Sequence, residues 1–268
     1  MKTPILQIET INKCNAKCVF CAVPKMKNKR PPMEDALFSK IIDDAKEYGV
    51  KEIMPFLNGE PLLDAKFDKK IAEIIEKIPD ARVSFFSNGT LLTKEKADAL
   101  AVSGIMGANF SINAITNAAR KKIMGHELEE TVDNILYLQS VNPKLNITVS
   151  GLMDTTFWTP EEMQCFIGFW VQRKIKPNLF FNGNWAGKTR KVANVGAGCS
   201  RPESILTVLS DGIVALCCYD LLGEVSFGNL RDKSIKEVWE SDAMEEYRLK
   251  NDMGRRSELK LCSDCSTG

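Results

Sequence analysis

Apolar residues along the chain follow two alternating rhythms. Short runs rich in β-branched or aromatic side chains at residues 5–10, 52–57, 82–86, 108–112, 146–151 and 178–181 read as strands. Between them, residues 34–48, 65–78, 94–103, 128–140 and 160–172 carry apolar positions at helical spacing. The last of these opens with Thr159-Pro160-Glu161-Glu162, a capping Thr, Pro at the first helical position and an acid at the third. About six strand–helix units in series predict an α/β fold with a parallel sheet and helical crossovers. A closed eight-unit barrel takes about 250 residues. Here the alternation ends near residue 181, so the expected architecture is an open, partial (β/α)6 barrel with its site at the C-terminal strand edges.

Residues 182–198 change character to a glycine-rich, basic stretch that reads as a linker. Beyond it, runs at 204–209 and 213–217 flank Ser210-Asp211-Gly212, a hairpin turn. Residues 234–240 form an amphipathic helical pattern, and a second helix is expected to follow through Arg248. The predicted division is a barrel over 1–181, a linker over 182–198 and a small appended domain over 199–268.

Charge removes several function classes. Lys and Arg total 36 against 35 Asp and Glu, a formal net charge of +1, so nothing electrostatic points to nucleic acid. The short basic run from Lys25 to Arg30 reads as a solvated loop in preference to a phosphate site. No apolar segment approaches the roughly 20 residues that span a bilayer, which argues against a membrane. Nine cysteines without a secretion signal at the first strand point to the reduced cytoplasm, where clustered thiols mean metal or redox chemistry. Because His126 is the single histidine, a multinuclear site must be built mainly from sulfur.

Cys14, Cys18 and Cys21 stand as C-N-A-K-C-V-F-C directly after the first strand. Three thiolates cannot close a four-ligand metal site, but they hold a [4Fe–4S] cluster with one iron left open. The competing reading is half of a structural zinc site. C-x3-C-x2-C with Phe20 before the last cysteine resembles the signature of the radical S-adenosylmethionine (SAM) superfamily. The resemblance implies that the amino and carboxylate groups of SAM chelate the open iron, and that an electron from the cluster cleaves SAM to methionine and a 5′-deoxyadenosyl radical.

Further segments carry the same resemblance. Asn58-Gly59-Glu60-Pro61 resembles the family's G-G-E-P motif, which binds the methionyl amino group, with Asn58 in place of the first glycine. Ser87 and Asn88 begin S-N-G at the end of the third strand, where the family places ribose contacts and where a plain turn would look the same. Ser111 and Asn113 fall where further SAM contacts are frequent, and Phe20 where a side chain packs near adenine. Met124 stands where an arginine often binds the SAM carboxylate; Arg120, Lys121 or Lys122 is left to substitute.

Cys199, Cys217, Cys262 and Cys265 form a C-x17-C…C-x2-C set that closes four sulfur ligands. Together with F-G-N-L and S-I-K-E-V-W between the second and third, this resembles the C-terminal extension of SPASM/twitch proteins, which carries auxiliary [4Fe–4S] clusters. A single auxiliary cluster is expected, with a four-cysteine zinc ribbon as the alternative. Cys218 adjoins Cys217 and competes with it; Cys217 is preferred because Asp220 then lies three residues on, as in the family. Cys165, on an apolar helix, reads as a buried small hydrophobe.

G-E-P-L-L, S-N-G, T-V-L and G-N-L resemble enzymes of the 2-deoxy-scyllo-inosamine dehydrogenase type. That resemblance implies oxidation of a small polar alcohol, with the auxiliary cluster accepting an electron and an external reductant such as flavodoxin or ferredoxin. Two alternatives stand beside it: modification of a peptide or protein side chain, and a non-catalytic zinc or electron-transfer protein.

Overall fold

The computed structural model describes residues 2–26, 30–191 and 198–267. Its first part runs β1 (Ile5–Ile8), α1 (Asp35–Tyr48), β2 (Glu52–Met54), α2 (Phe67–Lys77), β3 (Arg82–Ser87), α3 (Lys94–Val102) and β4 (Gly107–Ser111). It continues with α4 (Asn117–Met124), α5 (Glu129–Val141), β5 (Asn146–Leu152), α6 (Pro160–Gln172) and β6 (Lys176–Phe180). The C-terminal part holds α7 (Arg201–Ser204), β7 (Ile205–Val208), β8 (Ile213–Ala215), β9 (Ser226–Asn229), α8 (Ile235–Trp239) and α9 (Asp242–Asp252).

Among the described residues, nine strands lie in one open sheet, ordered β6-β5-β4-β3-β2-β1-β7-β8-β9. Pairings from β6 to β7 are parallel, and β7–β8–β9 are antiparallel. The parallel β1–β7 pair joins the C-terminal hairpin to the barrel sheet, with Leu6 opposite Leu206 and Gln7 opposite Thr207. The expected turn is present: the Leu209 amide bonds the Ile213 carbonyl, and Gly212 takes φ +91°.

Period-two alternation decides what faces the helices. Leu6, Ile53, Val83, Phe85, Ala108, Phe110, Ile147, Val149 and Leu206 are buried in the main core with Phe38, Ile41, Ile71 and Phe166 of the helical layer. The registers then leave Gln7, Ser84, Asn109, Thr148, Ser150, Asn178 and Thr207 on the opposite, inner face. On that face Asn109 donates to Thr148 Oγ1 at 2.6 Å and accepts from Ser150 Oγ at 2.8 Å.

Four details depart from the sequence expectations. α4 falls in a segment with few apolar residues, yet Thr116 caps it by accepting from the Ala119 amide and Gly125 ends it at φ +81°. α9 runs four residues beyond Arg248, because Met244, Arg248 and Asn251 form its buried stripe. Cys165 is exposed rather than buried, since the inward face of α6 is Met163, Phe166 and Trp170. In the basic run, Lys25 is exposed, whereas Arg30 is not solvated: it pairs with fully buried Glu9 at 2.9 Å and donates to the Leu221 carbonyl. Lys27, Asn28 and Lys29 of that run, and residues 192–197 of the expected linker, lie outside the described residues.

Candidate functional site

The C-terminal ends of β1 to β4 open into a cavity of about 260 Å³. It is lined by Cys14, Cys18 and Cys21, and by Phe20, Gly59, Glu60, Ser87, Asn88, Ser111 and Asn113. Asn58 and Pro61 are buried but lie outside this lining. Segments separated by almost a hundred residues are therefore brought together at one strand edge.

Glu60 holds the arrangement. Its side chain is 2 % exposed and accepts three hydrogen bonds: from the Leu62 amide (3.0 Å), Ser87 Oγ (2.7 Å) and the Asn88 amide (2.7 Å). One carboxylate thus ties the end of β2 to the end of β3. Burial raises its pKa, against the lowering effect of those donors. The Glu60 amide in turn donates to the Lys13 carbonyl at 2.8 Å, clamping this loop onto the start of the cysteine loop. Glycine at 59 is required there: a Cβ would stand 2.3 Å from the Ile11 oxygen and 2.6 Å from the Lys13 oxygen.

Asn88 ties the same loop from the other side. Its Nδ2 donates to Asn15 Oδ1 at 2.8 Å and lies 3.9 Å from Cys14 Sγ. Asn113 takes φ +55°, and its Oδ1 is buried without a hydrogen-bond partner, as is Asn58 Nδ2. Buried polar atoms normally find partners, so an unsatisfied acceptor in the cavity wall fits a polar ligand such as the methionyl or ribose part of SAM. The three thiols fit a cationic iron–sulfur group as well. Burial first, then the neighbouring Cys21 and Cys14, push the Cys18 thiol up to about 12, a repulsion that metal binding relieves.

Arg120, Lys121 and Lys122 separate cleanly. Arg120 is fully buried and spends its guanidinium on the carbonyls of Ser111, Ile112, Asn88 and Glu127. Burial lowers its pKa to about 10, while Cys18 and Glu60 favour its charge. It is a brace under the cavity, one that residue spacing did not reveal. Lys121 and Lys122 are exposed and do not line the cavity.

The mouth is aromatic. Phe56 stacks on Phe86 with ring centroids 4.9 Å apart, and Phe180 and Trp185 complete the lining. Trp185 Nε1 donates to the Phe20 carbonyl at 3.1 Å and its ring lies 5.1 Å from Tyr219, so the mouth meets the C-terminal cysteine region.

That region gathers its cysteines from three segments. Cys217 and Cys262 share an apolar cluster with Leu216, Leu259 and Tyr247. The Cys262 thiol is raised by burial first and then by Cys217 and Cys265, so these three sulfurs interact. Cys199 is held by Asn251, which accepts from its amide and donates to its carbonyl. Arg201, missed in the sequence although it stands in C-S-R-P, loses from burial but has its charge supported by Cys218, Tyr219, Cys217 and Cys199, and it stacks 4.7 Å from the Tyr219 ring. Asp220 orders the turn after Cys217 by accepting from the Glu224 and Val225 amides. Arg256 donates to the Thr267 and Gly198 carbonyls, joining the segments beside Cys265 and Cys199. Among the described residues no three His, Cys, Asp or Glu side chains converge closely enough to share one metal ion.

Comparisons with known proteins give the family and the fold. The Radical SAM superfamily model matches residues 8–164, and the SPASM model, an iron–sulfur cluster-binding domain, matches residues 199–266. The S-adenosyl-L-methionine-dependent 2-deoxy-scyllo-inosamine dehydrogenase of Niallia circulans is 22 % identical over 98 % of this chain and 92 % of its own. The tungsten-containing aldehyde ferredoxin oxidoreductase cofactor-modifying protein of Pyrococcus furiosus is 22 % identical over 97 % and 86 %. Among solved structures, BtrN in complex with AdoMet and 2-DOIA superposes with a TM-score of 0.73 at 19 % identity, covering 99 % of this chain and 94 % of that one. Streptococcus suis SuiB bound to the precursor peptide SuiA reaches 0.78 at 16 % identity, covering 99 % and 70 %. With a cysteine-lined cavity at the sheet edge, a second cysteine group beyond it, and a family model spanning more than half of its length, this chain belongs to the radical SAM superfamily and carries a SPASM iron–sulfur region.

Proposed function

We propose that this radical SAM oxidoreductase oxidises a small polar alcohol, with Cys14, Cys18 and Cys21 holding the SAM cluster and Cys199, Cys217, Cys262 and Cys265 an auxiliary cluster. When bound, the first cluster and SAM supply one-electron cleavage of SAM to methionine and a 5′-deoxyadenosyl radical. The residues around them have separate tasks. Glu60 and Asn88 fix the cysteine loop against β2 and β3, and Gly59 allows that approach. Asn113 Oδ1, in the cavity lining, is the open hydrogen-bonding atom for SAM.

The observation that carries the substrate class is the inner face of the sheet. Asn109, Thr148 and Ser150 form a hydrogen-bonded row there, and Ser150 pairs in register with Ser111 of the cavity lining. Such a face suits hydroxyl groups. Converting CH–OH to C=O removes a hydrogen atom from carbon, a proton from oxygen and one further electron. The second cysteine group would supply the acceptor for that electron. Likeness to the Niallia circulans dehydrogenase along nearly the whole chain supports this reading.

A second reading has its own observation. Phe180 and Phe181 are exposed at the mouth, a surface that would receive an apolar side chain, and SuiB with its bound peptide has the same fold. The reduced cytoplasm suits both readings, since every described cysteine is outside a disulfide; no helix among the described residues is long and apolar enough to cross a membrane.

Anaerobic reconstitution tests the proposal. Iron and sulfide sufficient for two clusters are expected, with dithionite-dependent 5′-deoxyadenosine that disappears when Cys14, Cys18 and Cys21 are all changed to Ala. Incubation with C-deuterated aminocyclitols then separates the substrate readings: deuterium in 5′-deoxyadenosine and a ketone product support the alcohol. Stoichiometric zinc in a colourless protein, or 5′-deoxyadenosine from the triple variant, would overturn it.

A further inference from the structure

The two lysines that do not reach the cavity lie on its outside, against the cysteine loop. The Lys17 amide donates to the Met124 carbonyl at 3.1 Å and the Val19 amide to the Ile123 carbonyl at 3.0 Å. These bonds lash the stretch between Cys14 and Cys21 to the C-terminal turn of α4, which carries Lys121 and Lys122. Gly125, the next residue, faces the Lys17 Cβ, 3.9 Å from where its own Cβ would stand. Lys17, Lys121 and Lys122 are all exposed, and Val19 between them is 51 % exposed, a bare apolar residue two positions from Cys21.

A neighbouring carboxylate offsets one lysine of this face and leaves Lys17 and Lys122. Glu127 reaches Lys121 at 3.5 Å, with both side chains 70 % exposed. Among the described residues neither Lys17 nor Lys122 is taken up in an ion pair. The positive face is therefore local to the cysteine loop on a chain whose net charge is only +1.

We propose that this face, Lys17, Lys121 and Lys122 around Val19, is the docking surface for an acidic one-electron carrier protein that reduces the cluster held by Cys14, Cys18 and Cys21. The inference rests on the radical SAM reading and adds its partner surface. SAM cleavage consumes one electron, which must enter close to the cysteine loop. The wall of the cavity that this face backs is the loop itself, so a carrier seated here brings its redox centre next to the cysteines. An exposed apolar residue within a charged rim is the anatomy of a transient interface, where charge sets encounter rate and orientation.

The test uses the anaerobically reconstituted full chain and reduced flavodoxin as the acidic probe. Lys17→Glu with Lys122→Glu should lower the rate of flavodoxin-driven 5′-deoxyadenosine formation by about tenfold or more at low salt. The parent rate should fall as salt is raised, while the variant's should be nearly flat. Dithionite-driven formation, iron content and far-UV circular dichroism should match the parent. Direct titration of flavodoxin onto the protein, read by isothermal calorimetry, should show the same loss of affinity. Because these lysines lie near a helix C-terminus, Lys17→Gln with Lys122→Gln controls for lost dipole stabilisation and should give an intermediate rate. Equal flavodoxin-driven rates and equal affinity in parent and charge-reversed protein would overturn the docking assignment. Loss of dithionite-driven formation in the reversed variant would also overturn it, by placing these lysines in cluster or SAM binding. Failure of the parent to cleave SAM with either reductant would instead count against the radical SAM reading beneath it.

Discussion

Replacing Glu60 separates a residue that touches SAM from one that positions its neighbours. In Glu60→Ala, three donors lose their acceptor inside the protein: the Leu62 amide, Ser87 Oγ and the Asn88 amide. Leaving a buried donor unsatisfied costs about 1–3 kcal/mol each. The Ser87 hydroxyl can rotate and the adjoining cavity admits water, so a total of about 3–5 kcal/mol is expected. Domains of ordinary stability hold about 5–15 kcal/mol, so the variant should fold with a lowered urea midpoint. Glu60→Gln is the sharper perturbation. Its carbonyl oxygen can keep two of the bonds, while its amide group meets the Asn88 amide donor to donor, a loss of about 1–3 kcal/mol. Urea unfolding of both variants by far-UV circular dichroism, with SAM affinity measured by equilibrium dialysis on reconstituted protein, gives the two readouts. Positioning predicts that stability and SAM affinity fall together, Ala more than Gln. If Glu60→Gln kept the parent's urea midpoint yet lost SAM affinity tenfold, the carboxylate would be pairing directly with the methionyl ammonium and the positioning argument would be refuted.

Gly59→Ala forces a Cβ to within 2.3 Å of the Ile11 oxygen, so a loss of about 1–3 kcal/mol and reduced cluster iron are expected, measured by urea melts and iron assay. Arg120→Met removes the donor shared by four carbonyls and should cost about 3–5 kcal/mol, with loss of SAM affinity; unchanged unfolding would show that the carbonyls repair themselves. Cys262→Ala with Cys265→Ala should remove one cluster's iron and the oxidised product, while uncoupled SAM cleavage continues. Normal product from a folded double variant would leave the second cluster a structural role.

Much of this molecule is legible in one dimension because its signals are local. Period-two and helical spacing put the strands and most helices within a few residues of their places, and the capping pattern at Thr159 put α6 at its observed bounds. The C-x3-C-x2-C and C-x2-C spacings mark Cys14, Cys18 and Cys21, and Cys262 and Cys265, as neighbours, because each set lies within one short stretch of chain. α4 shows where that reading thins: its cap and its terminal glycine were present, but too few apolar residues marked a helix between them.

Other features exist only once distant segments meet. The role of Glu60 depends on β2 and β3 lying side by side, because its partners are 27 and 28 residues away. Arg120 and Lys121 are adjacent letters of the same charge, yet one is buried beneath the cavity and the other is 70 % exposed. Cys165 sits on an apolar helix and faces outward, because burial follows the packed stripe of that helix and not its composition. The hairpin after residue 204 continues the barrel sheet through β1, a pairing across some 200 residues that local pattern does not encode. Spacing along the chain specifies elements and local cysteine groups; contact across the sheet assigns each polar side chain to the cavity, the brace or the surface.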